Sequence, residues 1–236
     1  MRVTCTIVAE VLRRVVESVA PGVTTQELNT IAEKEVAKRK AKPAFRGYSG
    51  YPSSLCCSLN SQVVHGIPNN QPLKDGDILS LDFGAYYDGF YGDSAVTVPV
   101  GTVSKSALNL LSVTNQSLVM AINQAFQGNK LSNISSAVQT FVESNGYSVV
   151  RDFVGHGIGR NLHEQPQIPN YGLPNKGPKL RVGMVLAIEP MVNEKSFEVK
   201  VLADGWTAVT LDGGLSAHFE HTVAIMENGP DVLTMI

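Results

Sequence analysis

Asp82, Asp93, Glu189 and Glu220 are acids set in apolar surroundings, and that placement calls for a chemical explanation. In residues 78–84, Leu79, Leu81 and Phe83 alternate with Ser80, Asp82 and Gly84, so a strand there turns Asp82 away from an apolar face. Asp93 follows in Gly92-Asp93-Ser94, and the turn signal Asp88-Gly89 lies near the midpoint between the two aspartates. A hairpin brings both carboxylates close across its ladder, where like charges repel. Val185-Leu186-Ala187-Ile188-Glu189-Pro190 and Ala217-His218-Phe219-Glu220-His221-Thr222 repeat the oddity. A single acid in a strand is ordinarily an edge or surface residue. Four of them change the balance, because burying unpaired carboxylates is costly. Shared divalent cations with hard oxygen ligands turn that repulsion into attraction.

A nitrogen ligand is available in Gly155-His156-Gly157, where the flanking glycines permit close approach to a crowded site. The other histidines also sit in suggestive surroundings: His65 in His65-Gly66-Ile67-Pro68, His163 beside Glu164, and His218 and His221 around Glu220. His218 shares strand parity with Glu220, which predicts that it orients that carboxylate. His221 has the opposite parity and reads as structural.

Two helix pairs, each followed by strands, must position these groups. Ile7, Val8, Val11, Leu12, Val15, Val16 and Val19 recur at helical spacing until Pro21-Gly22. Thr24 with Glu27 forms a capping-box start, and Leu28, Ile31, Ala32 and Val36 continue a second helix ended by Pro43. Residues 48–98 read as strands and turns. Leu108, Leu111, Leu118, Ile122 and Ala125 predict a third helix, and Ile134, Val138, Phe141 and Val142 a fourth, with Gly146 at its C-cap. Strands return at 147–150, 185–192, 197–202, 206–211 and 219–226. This order predicts an α+β architecture of two similar halves with no linker between them.

The 236 residues are 43% hydrophobic, enough for one large core. A net charge of −2 excludes a general attraction to nucleic acid or anionic membrane, and the basic cluster at 34–42 reads as a solvated helix end. No apolar run reaches the roughly 18 residues of a membrane span, and no secretory cleavage pattern is present. Cys5, Cys56 and Cys57 are an odd count without metal-type spacing, which fits a reducing cytoplasm. A nucleophilic serine or cysteine enzyme is disfavoured: there is no GxSxG, and no helix start activates Cys56 or Cys57.

The segments HGIP (65–68), LDFGAYYDGFYGDSA (81–95), GHGIGRNLHEQP (155–166), IEPM (188–191) and FEHT (219–222) resemble the type I methionine aminopeptidases. The resemblance implies their pita-bread fold, an antiparallel sheet covered by helices in two pseudo-symmetric halves, with residues 1–236 as a single catalytic domain. It implies Asp82, Asp93, His156, Glu189 and Glu220 as ligands of two divalent ions (Mn, Fe(II), Co or Zn), with Asp93 and Glu220 bridging. It also allows a monovalent cation held by backbone carbonyls near Asn60 and Ser216. The stretch from Glu189 to Glu220 leaves no room for the helical insertion of type II members. The absence of a zinc-finger extension points to a bacterial or organellar-type form.

In the implied reaction Glu189 takes a proton from water, His163 bonds the substrate amide or its carbonyl, and His65 contacts the leaving nitrogen. Phe45, Tyr48, Tyr51, Cys56, Leu162 and Trp206 would line a methionine pocket. Phe45, Leu162 and His218 depart from the commoner family residues cysteine, phenylalanine and glutamine. The implied substrates are methionyl peptides and nascent chains in the cytoplasm, and a monomer is the default state. Ribosome association fits such substrates, though no motif shows it. Rival readings are an Xaa-Pro aminopeptidase or prolidase, which shares the ligand set, and a non-catalytic binding protein of the same fold. Arg160 reads as a surface or salt-bridge residue.

Overall fold

A computed structural model describes residues 1–235. Helices α1 (Arg2–Val16) and α2 (Thr25–Lys38) precede β1 (Lys42–Pro43), a 3-10 turn (Tyr48–Gly50), β2 (Cys56–Leu59) and β3 (Gln62–Val64). The hairpin of β4 (Ile78–Tyr87) and β5 (Phe90–Pro99) leads into α3 (Lys105–Ile122) and α4 (Ser132–Ser144). The second half contains β6 (Ser148–Val149), β7 (Gly155–Gly157), β8 (Glu164–Ile168), β9 (Val185–Ile188) and β10 (Met191–Asn193). It closes with β11 (Val199–Val201), β12 (Ala208–Thr210), β13 (Ser216–His218), β14 (Glu220–Met226) and β15 (Gly229–Val232). The class is α+β, as the sequence pattern predicts. No helix among the described residues is long and apolar enough to cross a membrane.

A nine-stranded antiparallel sheet runs β1-β4-β5-β14-β9-β7-β8, with β2 added to β4 and β15 to β14. Two three-stranded sheets, β13-β10-β6 and β11-β12-β3, flank it. Helices cover one face of the large sheet. Val8, Val11 and Val15 of α1 and Leu28 and Ala32 of α2 pack on Leu79, Leu81 and Phe83. Leu110 and Leu118 of α3 and Ile134 and Val138 of α4 pack on Leu186, Ile188, Val223 and Ile225. Strand alternation then turns Asp82, Asp93 and Glu220 to the other face.

The Thr24 hydroxyl accepts from the Glu27 N–H, and the Glu27 carboxylate accepts from the Thr24 N–H, so the predicted capping box forms. Gly146, with φ 82°, closes α4: its N–H donates to Glu143 and that of Tyr147 to Val142.

Several boundaries differ from expectation. Helix α1 stops at Val16, not Val19, as a tighter turn from Ser18 to Val15 finishes it. Helix α2 ends at Lys38, before Pro43, because left-handed Lys40 and the Ala41 N–H bond to Val36 close it first. Leu108 lies on the solvent side of α3, 50% exposed, and Ala125 lies past that helix's end. The segments at 147–150, 197–202 and 206–211 shorten to β6, β11 and β12. The stretch 185–192 is two strands in different sheets: Pro190 has no N–H to continue β9, and the chain crosses to β10. The stretch 219–226 is a single strand, β14, beginning at Glu220, with Phe219 joining it to β13 of another sheet. Glu189 and Glu220 therefore sit where the chain changes sheets, not mid-strand.

Phe83 is fully buried behind Asp82, so Phe83→Ala is expected to cost about 3–5 kcal/mol in urea denaturation. Leu108→Ala is expected to stay within about 0.5 kcal/mol. Equal effects from the two substitutions would contradict this assignment of faces.

Candidate active site

The candidate ligands lie in two adjacent rows across one face of the large sheet. Asp82 pairs with Ala95 across β4–β5, and Ala95 pairs with Glu220 across β5–β14. Continuing the β14–β9 register from His221↔Ile188 brings Glu189 opposite Glu220. The second row begins with Gly84↔Asp93 and passes through Thr222↔Ala187 to Ala187↔His156. Between those two parts, Thr222 Oγ1 donates to the Asp93 carbonyl at 2.7 Å and accepts the Asp93 N–H at 3.1 Å. Asp82 and Asp93 are thus diagonal neighbours across the hairpin, whose turn, Asp88 (φ 47°) and Gly89 (φ 82°), has the left-handed pair of a type I′ turn. Small residues, Ala95, Gly84, Thr222 and Ala187, separate the ligands and leave room above the sheet.

Hydroxyl groups fix the rows where ladder bonds are few. Ser94 Oγ donates to the Glu220 carbonyl at 2.8 Å. Thr97 Oγ1 donates to the His218 carbonyl and accepts its N–H, both at 2.8 Å. Asn170 Nδ2 donates to the Glu189 carbonyl at 2.9 Å. The glycines beside His156 are demanded by space: a Cβ at Gly155 would come within 2.5 Å of the Ala187 carbonyl, and one at Gly157 within 2.3 Å of the Gln165 carbonyl. His156 Nδ1 lies 2.9 Å from the Gly157 carbonyl, so Nδ1 carries the hydrogen and the Nε2 lone pair is left for a ligand. That Nε2 is 3.5 Å from Glu189 Oε1.

Burial dominates the electrostatics. It pushes Asp82, Glu189 and Glu220 well above the usual carboxylate range, and each charge raises its neighbours further. Burial raises Asp93 to about 7. The same burial lowers His156 and His65 to about 4, repulsion from His163 in its protonated form lowers them further, and both rings stay neutral. Asp82 Oδ1, Asp93 Oδ1 and Glu220 Oε1 are buried without a hydrogen-bond partner among the described residues. Ligand atoms of Asp93, His156 and Glu220 lie within 4.8 Å of one another, as do those of Glu189, His218 and Glu220. Orphaned acceptors on several carboxylates beside a neutral imidazole fit divalent cations, which supply the missing positive charge.

This cluster forms the floor of a cavity of about 320 Å³. Phe45, Tyr48, Tyr51, Cys56, Leu162, Trp206, His65 and His163 line it together with Asp82, Asp93, His156, Glu189 and Glu220. The Tyr51 hydroxyl donates to the Gly66 carbonyl at 2.9 Å, and its ring meets Trp206 edge-on at 5.1 Å. Phe45 rests in the notch left by Gly84, where a Cβ would come within 2.8 Å of the ring. Cys56 sits opposite Asp82, and burial with that nearby charge holds its thiol well above its usual pKa. His65 has left-handed backbone (φ 60°) and packs edge-on against Phe153 at 5.3 Å.

Sequence reasoning missed Ser49, Val64, Asp152, Phe153, Val154 and Met191 in the lining, and Asn170 behind it. Asp152, Phe153 and Val154 immediately precede Gly155-His156, and that adjacency was the available signal. His218 does not line the cavity. Its Nε2 lies 3.6 Å from Glu189 Oε2 and has no hydrogen-bond partner among the described residues, and its ring stands within 4.8 Å of ligand atoms of both Glu189 and Glu220, so Glu189 joins Glu220 as a neighbour. His221 Nδ1 meets Thr234 Oγ1 at 2.8 Å, away from the cavity. Arg160 is exposed and stacks over Phe90 at 4.7 Å.

The model of metallopeptidase family M24 matches residues 1–227. A methionine aminopeptidase of Clostridium perfringens is 54% identical over 236 residues, covering 100% of this chain and 95% of that protein. Methionine aminopeptidase 1 of Bacillus subtilis has the same identity and coverage. The crystal structure of the Thermotoga maritima methionine aminopeptidase is similar with a TM-score of 0.99 at 48% identity, covering 100% of this chain and 95% of that one. A prolidase from Pyrococcus horikoshii has a TM-score of 0.80 at 22% identity, covering 99% of this chain and 60% of that one, a likeness of fold alone.

Without metal, the folded Asp93 holds a proton up to about pH 7 that the unfolded chain releases near 3.8. Its contribution to stability is therefore full below the lower value and is lost as pH rises through the higher one. In chelator, Asp93→Asn is expected to melt above the parent near pH 8 and to lose that advantage near pH 4. Saturating divalent metal is expected to reverse the order near pH 8. Calorimetric melting that finds the chelated parent more stable at the higher pH contradicts the assignment.

Proposed function

The chain belongs to metallopeptidase family M24, and on that premise we propose that it removes the N-terminal methionine from peptides and nascent chains by metal-assisted hydrolysis, preferring a small second residue. The observation that carries this reading is the convergence of four buried or half-buried carboxylates and an imidazole beneath an aromatic pocket. Relatives at 54% identity bear the name methionine aminopeptidase, whereas prolidases share only the fold, which favours this substrate class over Xaa-Pro peptides.

In this reading Asp82, Asp93, His156, Glu189 and Glu220 would hold two divalent ions. Bound ions supply Lewis acidity and bring the pKa of water down toward about 7. A carboxylate-rich set with one imidazole suits manganese or iron(II) and accepts cobalt or zinc. Glu189, one oxygen toward His156 and the other toward His218, accepts the proton of the attacking water. His163, on the rim, donates to the carbonyl oxygen of the first peptide bond, and His65 contacts the leaving nitrogen. Phe45, Tyr48, Tyr51, Cys56, Leu162 and Trp206 receive an unbranched thioether, whose sulfur pairs well with aromatic edges. The acid-lined floor would receive the free amine, which would restrict cleavage to the terminal residue. Ser216 donates its N–H to the Asn60 carbonyl at 2.9 Å, and a monovalent cation beside these two segments is compatible with the remaining carbonyl lone pairs. Nascent-chain substrates place the reaction in the cytoplasm.

Hydrolysis of Met-Ala-Ser by chelated protein reconstituted with each metal in turn tests the reading. Cleavage of the methionyl bond, and none of Ala-Pro peptides, is expected; the opposite preference would sink it. His218 is expected to hold Glu189 in place. His218→Leu should weaken metal affinity roughly 10- to 100-fold by calorimetry, while His218→Gln, still a donor, retains it. Equal affinities in all three proteins would remove His218 from the site's support.

A further inference from the structure

We propose that Tyr48 is a positioning residue for His163, coupling the filling of the apolar pocket to the hydrogen-bond donor at the scissile bond. The inference rests on the role given above to His163. The Tyr48 hydroxyl lies 2.7 Å from His163 Nδ1 although 115 positions separate the two residues. For His163 Nε2 to donate in the role given above, Nδ1 must accept, so at this contact the Tyr48 O–H donates and the ring's hydrogen is on Nε2. The tautomer needed to donate from Nε2 is thus selected from outside the metal cluster.

His163 is clamped on both sides. Tyr48 meets its ring at 5.1 Å between centroids, and His156 meets it edge-on at 4.3 Å. Tyr48 has few other restraints. It is 39% exposed and sits in a turn with left-handed backbone at Gly47 (φ 83°), Ser49 (φ 49°) and Gly50 (φ 89°). A Cβ at Gly47 or Gly50 would meet nothing within 4 Å, so the outer side of that turn faces open space. The same Tyr48 ring lines the cavity beside Phe45 and Leu162. A substrate side chain filling the pocket presses on this ring and holds its hydroxyl on Nδ1. A side chain too small to reach it leaves that bond, which the protein makes by itself, without the added restraint. Recognition of the first residue then appears in kcat as well as in KM.

Tyr48→Phe keeps the ring and removes the hydroxyl. On Met-Ala-Ser, kcat is expected to fall about tenfold while KM stays within about twofold. In a His163→Ala background the same change is expected to cost nothing further. Nitrogen-15 spectra of the metal-free protein should show His163 as the single Nε2–H tautomer, and Tyr48→Phe should mix the two forms. An unchanged tautomer in Tyr48→Phe, or losses that add in the double variant, overturns the proposal. If the parent fails to cleave methionyl peptides, the function proposed above fails instead, and the tautomer of the metal-free protein still decides whether Tyr48 positions His163.

Discussion

Like charges crowded onto one face of a sheet are the constraint from which the rest of this structure follows. Asp82, Asp93 and Glu220 project from three neighbouring strands, and Glu189 joins them from the end of a fourth. Their orphaned oxygens and raised pKa values mark an arrangement that side chains alone do not neutralise. An apolar core of the same size would be cheaper to fold. The arrangement is explained by cations, and the helices behind the sheet supply the burial that makes the strands rigid enough to present the ligands.

Convergence depends on small residues and on two chain crossings. Ala95 lies between Asp82 and Glu220 in one row, and Thr222 and Ala187 lie between Asp93 and His156 in the other. Larger side chains at those points would occupy the space above the sheet. Pro190 ends β9, so Glu189 leaves the sheet plane with its carboxylate between two imidazoles. The hydroxyls of Ser94, Thr97 and Thr222 replace the missing ladder bonds around β5 and β14. Preorganisation of this kind holds the candidate ligands in place through the protein's own contacts.

Much of this was legible in the residue order. Helical spacing, the Thr24–Glu27 capping box and the Asp88-Gly89 turn are local signals, and each formed. Parity along residues 78–84 placed Asp82 opposite Phe83, and the family motifs collected residues that line one cavity. The remainder depended on contacts distant in sequence. Whether 185–192 is one strand or two depends on which sheet receives Met191. Leu108 follows helical spacing but has no neighbour to bury it. His218 shares parity with Glu220, yet the crossing at Pro190 brings Glu189 beside it as well. The Tyr48–His163 bond joins a turn in the first half to a loop in the second, and no local pattern encodes it.

In the function proposed above, the acidic floor of this M24 metallopeptidase receives a free amino end beside a pocket for one apolar side chain. The most direct measurement is the stoichiometry of divalent metal taken up by chelated protein in a calorimetric titration, repeated in buffers of different ionisation enthalpy. Two ions per chain are expected, with protons released as the carboxylates give them up. Absence of stoichiometric uptake, or uptake without proton release near pH 6, would mean that the four acids are held in some other way.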